Sequence, residues 1–109
     1  MKYGNKKTMV DGIVFDSKAE AHRYTELIAL QNLGVIKNLQ LQKSYFLVKG
    51  GKWENGRKYS PVKYVADFVY ELDGDLIVED VKGFKTKEYV IKKKLMKERY
   101  GIEITEVKA

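Results

Sequence analysis

Residues 64–82 read YVADFVYELDGDLIVEDVK, two runs rich in β-branched and aromatic residues on either side of Asp73-Gly74. Asp-Gly tolerates positive φ at both central positions of a tight turn, so the stretch reads as two antiparallel strands joined by a two-residue loop. That loop sets the register: Leu72 pairs with Asp75, Tyr70 with Ile77, and Asp67 falls opposite Asp80. Directly opposite residues share a face, with Cβ atoms roughly 4.5–5.5 Å apart. Two carboxylates held so close repel, and a divalent cation between them turns the repulsion into binding. Lys82, two residues beyond Asp80, reaches the same face by strand alternation, and Glu79 turns to the opposite one.

The hairpin strands carry apolar residues on both faces: Val65, Val69 and Val78 on one, Ala66, Phe68, Tyr70, Ile77 and Val81 on the other. Strands apolar on both sides belong in the middle of a sheet covered by helices. Upstream, Ser17 and Glu20 form an S-x-x-E capping box that opens a helix, which Gly34 closes as a left-handed cap. Glu20, Tyr24, Leu27, Ile28 and Gln31 share one stripe of that helix. Before it, residues 1–12 are polar and loosely held, and 13–15 are a short strand or an apolar lead-in. Residues 35–49 read as a strand with a turn or bulge near Gln42-Lys43. The glycine-rich, basic and aromatic 50–60 segment follows as a mobile hairpin loop, and Pro61 starts the next strand. Thr86 caps a second helix that runs to Tyr100, with Tyr89, Ile91, Leu95, Met96 and Tyr100 on its apolar side. Gly101 ends the helix, and a final strand spans 102–107.

With 109 residues, the chain suits one domain over 1–109. No apolar run approaches the length of about 18 residues that a membrane helix needs, and the N-terminus lacks the apolar core of a secretory signal. No cysteine is present, and His22 is the only histidine, which excludes disulfides, zinc knuckles and thiol nucleophiles and leaves no His-rich metal site. A net charge of +6 suits a polyanionic partner, although charge alone also fits many proteins with none.

An Asp on one strand, Asp-x-Lys on its partner and a Glu on the preceding helix resemble the PD-(D/E)XK nuclease superfamily. That family's core is an α-β-β-β-α-β sandwich, an α/β (α+β) fold with a central mixed sheet flanked by two helices. From KYGNKK through GIVFDSKAEAHRY and YVADFVY to VEDVKGFKT, the chain also looks like a family of small phage and prophage proteins placed in that superfamily. The resemblance implies catalytic roles for Glu20, Asp67, Asp80 and Lys82, with Asp67, Asp80 and Glu20 as ligands of Mg2+ (or Mn2+). The proline that usually precedes the first acid is Ala66 here. Glu20 keeps a second reading, since half of a capping box is a sufficient structural task.

Phosphodiester cleavage needs a nucleophilic water and charge neutralisation at the phosphate, which magnesium and a lysine together supply. The function that the resemblance and this chemistry imply is a metal-dependent DNA endonuclease in a bacterial cytoplasm, with branched recombination or replication intermediates of a phage as one substrate class. Two-strand cleavage would call for a homodimer. The competing expectations are a non-catalytic nucleic-acid-binding protein, or a subunit active only inside a recombinase or transposase complex. For nucleic-acid binding the candidates are Lys52, Trp53, Arg57 and Lys58 in the 50–60 loop and Lys87, Lys93, Lys94 and Lys97 on the second helix. The loop either grips a bent duplex or is a hairpin tip with a tucked indole. The helix lysines either meet DNA or form a solvated face.

Overall fold

A computed structural model describes residues 6–109. Residues 1–5, which carry the start of the KYGNKK resemblance and of the expected 1–109 domain, lie outside the described residues. The architecture is α+β, with a mixed four-stranded sheet between two helices. The elements are β1 (Thr8–Val10), β2 (Ile13–Phe15), α1 (Lys18–Asn32), β3 (Ile36–Val48), β4 (Gly51–Lys52), β5 (Lys58–Tyr59), β6 (Val62–Leu72), β7 (Asp75–Lys82), α2 (Lys87–Tyr100) and β8 (Thr105–Lys108). The central sheet has the order β3-β6-β7-β8, antiparallel except for the parallel β7–β8 pair. Leaving out the β1–β2 and β4–β5 hairpins, the sequence of elements is the expected α-β-β-β-α-β.

The central hairpin forms on the expected turn. Asp73 and Gly74 hold φ of 51° and 84°, and the ladder runs from Leu72–Asp75 through Tyr70–Ile77 to Phe68–Glu79. It ends one pair short of Asp67–Asp80. There the Val81 N–H donates to Asp67 Oδ2 at 2.8 Å, where a regular ladder would present the Ala66 carbonyl. The strands part at the two aspartates, and a carboxylate takes over a backbone acceptor's role.

Gln42 explains why. It adopts a left-handed φ of 54°, and Gln42 and Asp67 are missing from a ladder that keeps its register from Leu41–Phe68 to Lys43–Ala66; the register shifts of this pair lie instead between Lys37 and Gln40 and between Phe46 and Val48. Across this point both strands exchange faces. Leu39 and Leu41 pack with Phe68 and Tyr70 in the core beneath α1, whereas Tyr45 and Leu47 pack with Tyr64 and Ala66 in the core beneath α2. Strict alternation would keep each odd- or even-numbered set on one side. Ala66 therefore lies with Val69 and Val78, not with Phe68 and Tyr70 as alternation suggested, and Val65 is exposed.

Ser17 accepts the Glu20 N–H at 3.1 Å and starts α1. Gly34 is left-handed one residue beyond the Leu33 cap, closing the helix through the Val35 N–H to Leu30 carbonyl bond. Helix α2 keeps its Thr86 and Gly101 caps. Tyr89 and Met96 form its buried side, but Ile91 is 58% exposed, because the helix has turned it away from the sheet. Residues 8–15 are a hairpin turning on Asp11-Gly12, both at positive φ, so the stretch expected to be loose up to residue 12 is built from Thr8 onward. The last strand begins at Thr105, and Ile102 packs against the core ahead of it. No helix of the described residues is long and apolar enough to cross a membrane.

Glu79 is buried on the α1 side, as expected from its turn away from Lys82. Arg23 grips it with both ends of its guanidinium (Nε to Oε1 2.9 Å, Nη2 to Oε2 2.7 Å), and the Tyr70 hydroxyl donates to the same carboxylate. The hydrogen bonds to Glu79 hold the Arg23 guanidinium above its ordinary value, so it stays charged. Burial, then the bond to Glu79, pushes the Tyr70 hydroxyl up to about 12. Arg23→Leu would leave a buried carboxylate without its cation and should cost about 3–5 kcal/mol in urea unfolding. The double variant Arg23→Leu/Glu79→Leu should recover much of that loss.

Candidate active site

Asp67 and Asp80 are both buried where β6 and β7 part. Tyr64, from the α2-side core, donates its hydroxyl to Asp80 Oδ2 at 2.6 Å. Lys82 Nζ stands 3.2 Å from Asp80 Oδ1 and 4.1 Å from the centroid of the Tyr89 ring, so an ion pair and a cation–π contact fix one ammonium. Its side chain remains 20% exposed. Burial, and then Asp80 itself, holds the Tyr64 hydroxyl far above its ordinary value, keeping it a donor. Asp67, Asp80 and Lys82 thus gather around one parting of the sheet.

Glu20 is buried in the first turn of α1, one helical turn before Arg23. Its backbone serves the cap that the sequence suggested. Among the described residues, no group of three or more His, Cys, Asp or Glu side chains is arranged to hold a metal ion. What is present is a pair of buried carboxylates, all oxygen donors, each oriented by a hydrogen bond. That donor set fits magnesium, which asks a protein for one or two carboxylates and keeps several waters.

The parallel register of β7 and β8 brings in a residue the sequence did not single out. Glu106 is the Cα partner of Asp80. Its Oε2 accepts from Tyr89 Oη at 2.7 Å and from Lys93 Nζ at 3.0 Å, and its Oε1 meets Lys85 Nζ at 2.7 Å. Lys85, then Tyr89 and Lys93, outweigh partial burial and hold the Glu106 carboxyl at about 2. Burial and the bond to Glu106 push the Tyr89 hydroxyl well up. No sequence signal pairs residue 80 with residue 106, since a parallel partner is set by tertiary packing. The buried tyrosines had a readable signal, because a buried hydroxyl needs an acceptor.

The candidate nucleic-acid residues fall in two places. The 50–60 segment forms the expected hairpin, with two short strands: Gly51 pairs with Tyr59, Lys52 with Lys58, and the Trp53 and Tyr59 rings lie 4.8 Å apart. Tyr59 lies so close over Gly51 that a Cβ there would come within 2.6 Å of its hydroxyl, so a larger residue would displace the tyrosine ring. Trp53 meets the Tyr59 ring at a tilt of 49° and is 61% exposed, and Lys52, Arg57 and Lys58 are exposed beside it. On α2, Lys87 and Lys94 are exposed, Lys93 is tied to Glu106, and Lys97 pairs with Glu103 at 3.0 Å. His22 is a surface residue near Glu26.

Because Glu106 titrates lower in the folded chain than in the unfolded one, it contributes stability above about pH 4.5, and that contribution disappears as pH falls towards 2. The stability difference between wild type and Glu106→Gln should therefore shrink by on the order of 1 kcal/mol between pH 6 and pH 2 after allowing for solvent screening, as read by urea unfolding.

A family model described as "Protein of unknown function (DUF1064)" matches residues 1–108, and the chain belongs to that family. No curated protein and no solved structure matches it.

Proposed function

We propose that this chain is a magnesium-dependent DNA endonuclease, and the observation that carries the reading is the buried Asp67–Asp80 pair with Lys82 at its side. Buried carboxylates on neighbouring strands are costly unless compensated; Asp80 has Tyr64 and Lys82 and Asp67 has the Val81 N–H, and a divalent cation would add charge compensation to both. Asp67 and Asp80 would hold magnesium or manganese, with Glu20 a candidate to assist from α1; the bound ion supplies charge neutralisation and an acidified water.

The chain's own groups then have separable tasks. Tyr64 keeps Asp80 from rotating, and the Val81 N–H does the same for Asp67. Lys82, fixed by Asp80 and the Tyr89 face, offers positive charge to a phosphate oxygen as negative charge develops. β6 begins at Val62, five residues from Asp67 and roughly 17 Å away at strand rise, and the β4–β5 hairpin ends at Tyr59, just before it, a span suited to contacting the same duplex away from the scissile bond. Contacts from lysines and one indole position a backbone without reading bases, which favours selection by DNA shape. Two such sites in a homodimer would cut both strands of a junction.

A second reading has one observation in its favour. The Asp80 carboxylate is already served by Tyr64 and Lys82, an arrangement that also suits a nucleic-acid-binding protein without cleavage. The two separate in one experiment, a panel of labelled duplex, flap, four-way-junction and single-stranded substrates with magnesium or manganese. Wild type should cut at least one substrate, and Lys82→Ala should lower the rate by about 100-fold or more, the scale of one charge-stabilising group. Binding without cleavage by pure wild type would select the second reading.

A further inference from the structure

Three lysines from three elements meet around one tyrosine–glutamate pair. Tyr89, buried on α2, carries Lys82 of β7 over its ring, and its hydroxyl is bonded to Glu106 of β8. Glu106 binds Lys85, from the segment between β7 and α2, with one oxygen and Lys93 of α2 with the other. We propose that this hub is an anion cradle, in which Glu106 and Tyr89 act as positioning residues that present Lys82, Lys85 and Lys93 to the backbone phosphodiesters of a nucleic acid.

The charge balance favours a cradle over a simple ion-pair cluster. One carboxylate faces two ammoniums, and Lys82 is already balanced by Asp80, so the Glu106 cluster keeps an excess positive charge. Each ammonium has three donors. Glu106 occupies one direction on each, and the side chains of Lys85 and Lys93 remain 54% and 41% exposed, leaving donors directed to solvent. Side-chain ordering, normally a cost of gripping a phosphate with lysine, is already met in the folded chain. The third lysine stands beside Asp80, so the cradle is continuous with the candidate active site. Phe84, between Lys82 and Lys85 in the chain, is 77% exposed, and an aromatic ring next to lysines suits a nucleic acid more than a free phosphate ion. The cradle deepens the nuclease reading by naming where the strand beside the scissile phosphate would lie, but phosphate binding here requires neither metal nor cleavage.

The test uses a fluorescent DNA duplex in EDTA, with anisotropy followed over a salt series. Lys85→Ala, at an exposed position, and Lys93→Ala, at a half-buried one, should each weaken binding several-fold and reduce the slope of log affinity against log salt by about one. Glu106→Gln, which keeps the shape and removes the anchor charge, should also weaken binding several-fold. Equal or tighter binding by Glu106→Gln would mean that the glutamate only neutralises its lysines and would overturn the proposal, as would unchanged affinity and slope in both lysine variants. Inorganic phosphate exchanged for chloride at constant ionic strength should not displace the duplex; displacement would reassign the cradle to free phosphate and overturn the backbone assignment. If wild type fails to cleave in magnesium while these binding differences persist, the nuclease reading falls and the cradle stands.

Discussion

A two-residue turn with both residues at positive φ aligns β6 on β7, and the placement of every charged group on the hairpin follows from that alignment. A slip by one residue would exchange the faces of Glu79 and Asp80. Glu79 would then lose Arg23 and Tyr70, and Asp80 would lose Tyr64, while Lys82, on the same strand, would move with it. Both carboxylates are buried, so each partner set penalises the wrong register as firmly as the apolar contacts do.

The sheet separates two chemistries. On the α1 side, the Arg23–Glu79–Tyr70 cluster is saturated and ties helix to strand, a structural use of buried charge. On the α2 side, Asp80, Lys82, Tyr89 and Glu106 lead from a buried acid to lysines that reach solvent. The face exchange at Gln42 and Asp67 connects the two regions, because it opens the ladder and frees an aspartate side chain to enter the plane of the sheet.

Local signals made much of this legible. The Asp73-Gly74 turn, the Ser17 and Thr86 caps and the Glu79–Asp80 alternation are short-range chemistry, and each reads directly from neighbouring residues. The irregularity near Gln42-Lys43 was readable as well, but its effect was not: a single left-handed residue moves Ala66 to the other core, which period-two counting misses. Ile91 misled for a related reason, since a β-branched residue on a lysine-rich helix resembles part of a buried stripe until the helix's rotation against the sheet is fixed. Glu106 lay beyond sequence reasoning altogether. Its neighbour Asp80 is 26 positions earlier, joined through a helix crossover whose parallel register depends on packing. Tyr59 packs over Gly51 and against the tilted Trp53 ring, and that close approach could not be told from an ordinary flexible glycine.

The claim at the centre is that the carboxylate facing Lys82 serves phosphodiester chemistry and not merely an ion pair. Magnesium-dependent cleavage of a substrate that the purified wild-type chain cuts, compared with Asp80→Ala prepared identically and shown to be folded, tests it most directly. Cleavage should fall to background in Asp80→Ala while metal-free DNA binding is retained. Undiminished cleavage by Asp80→Ala would contradict it.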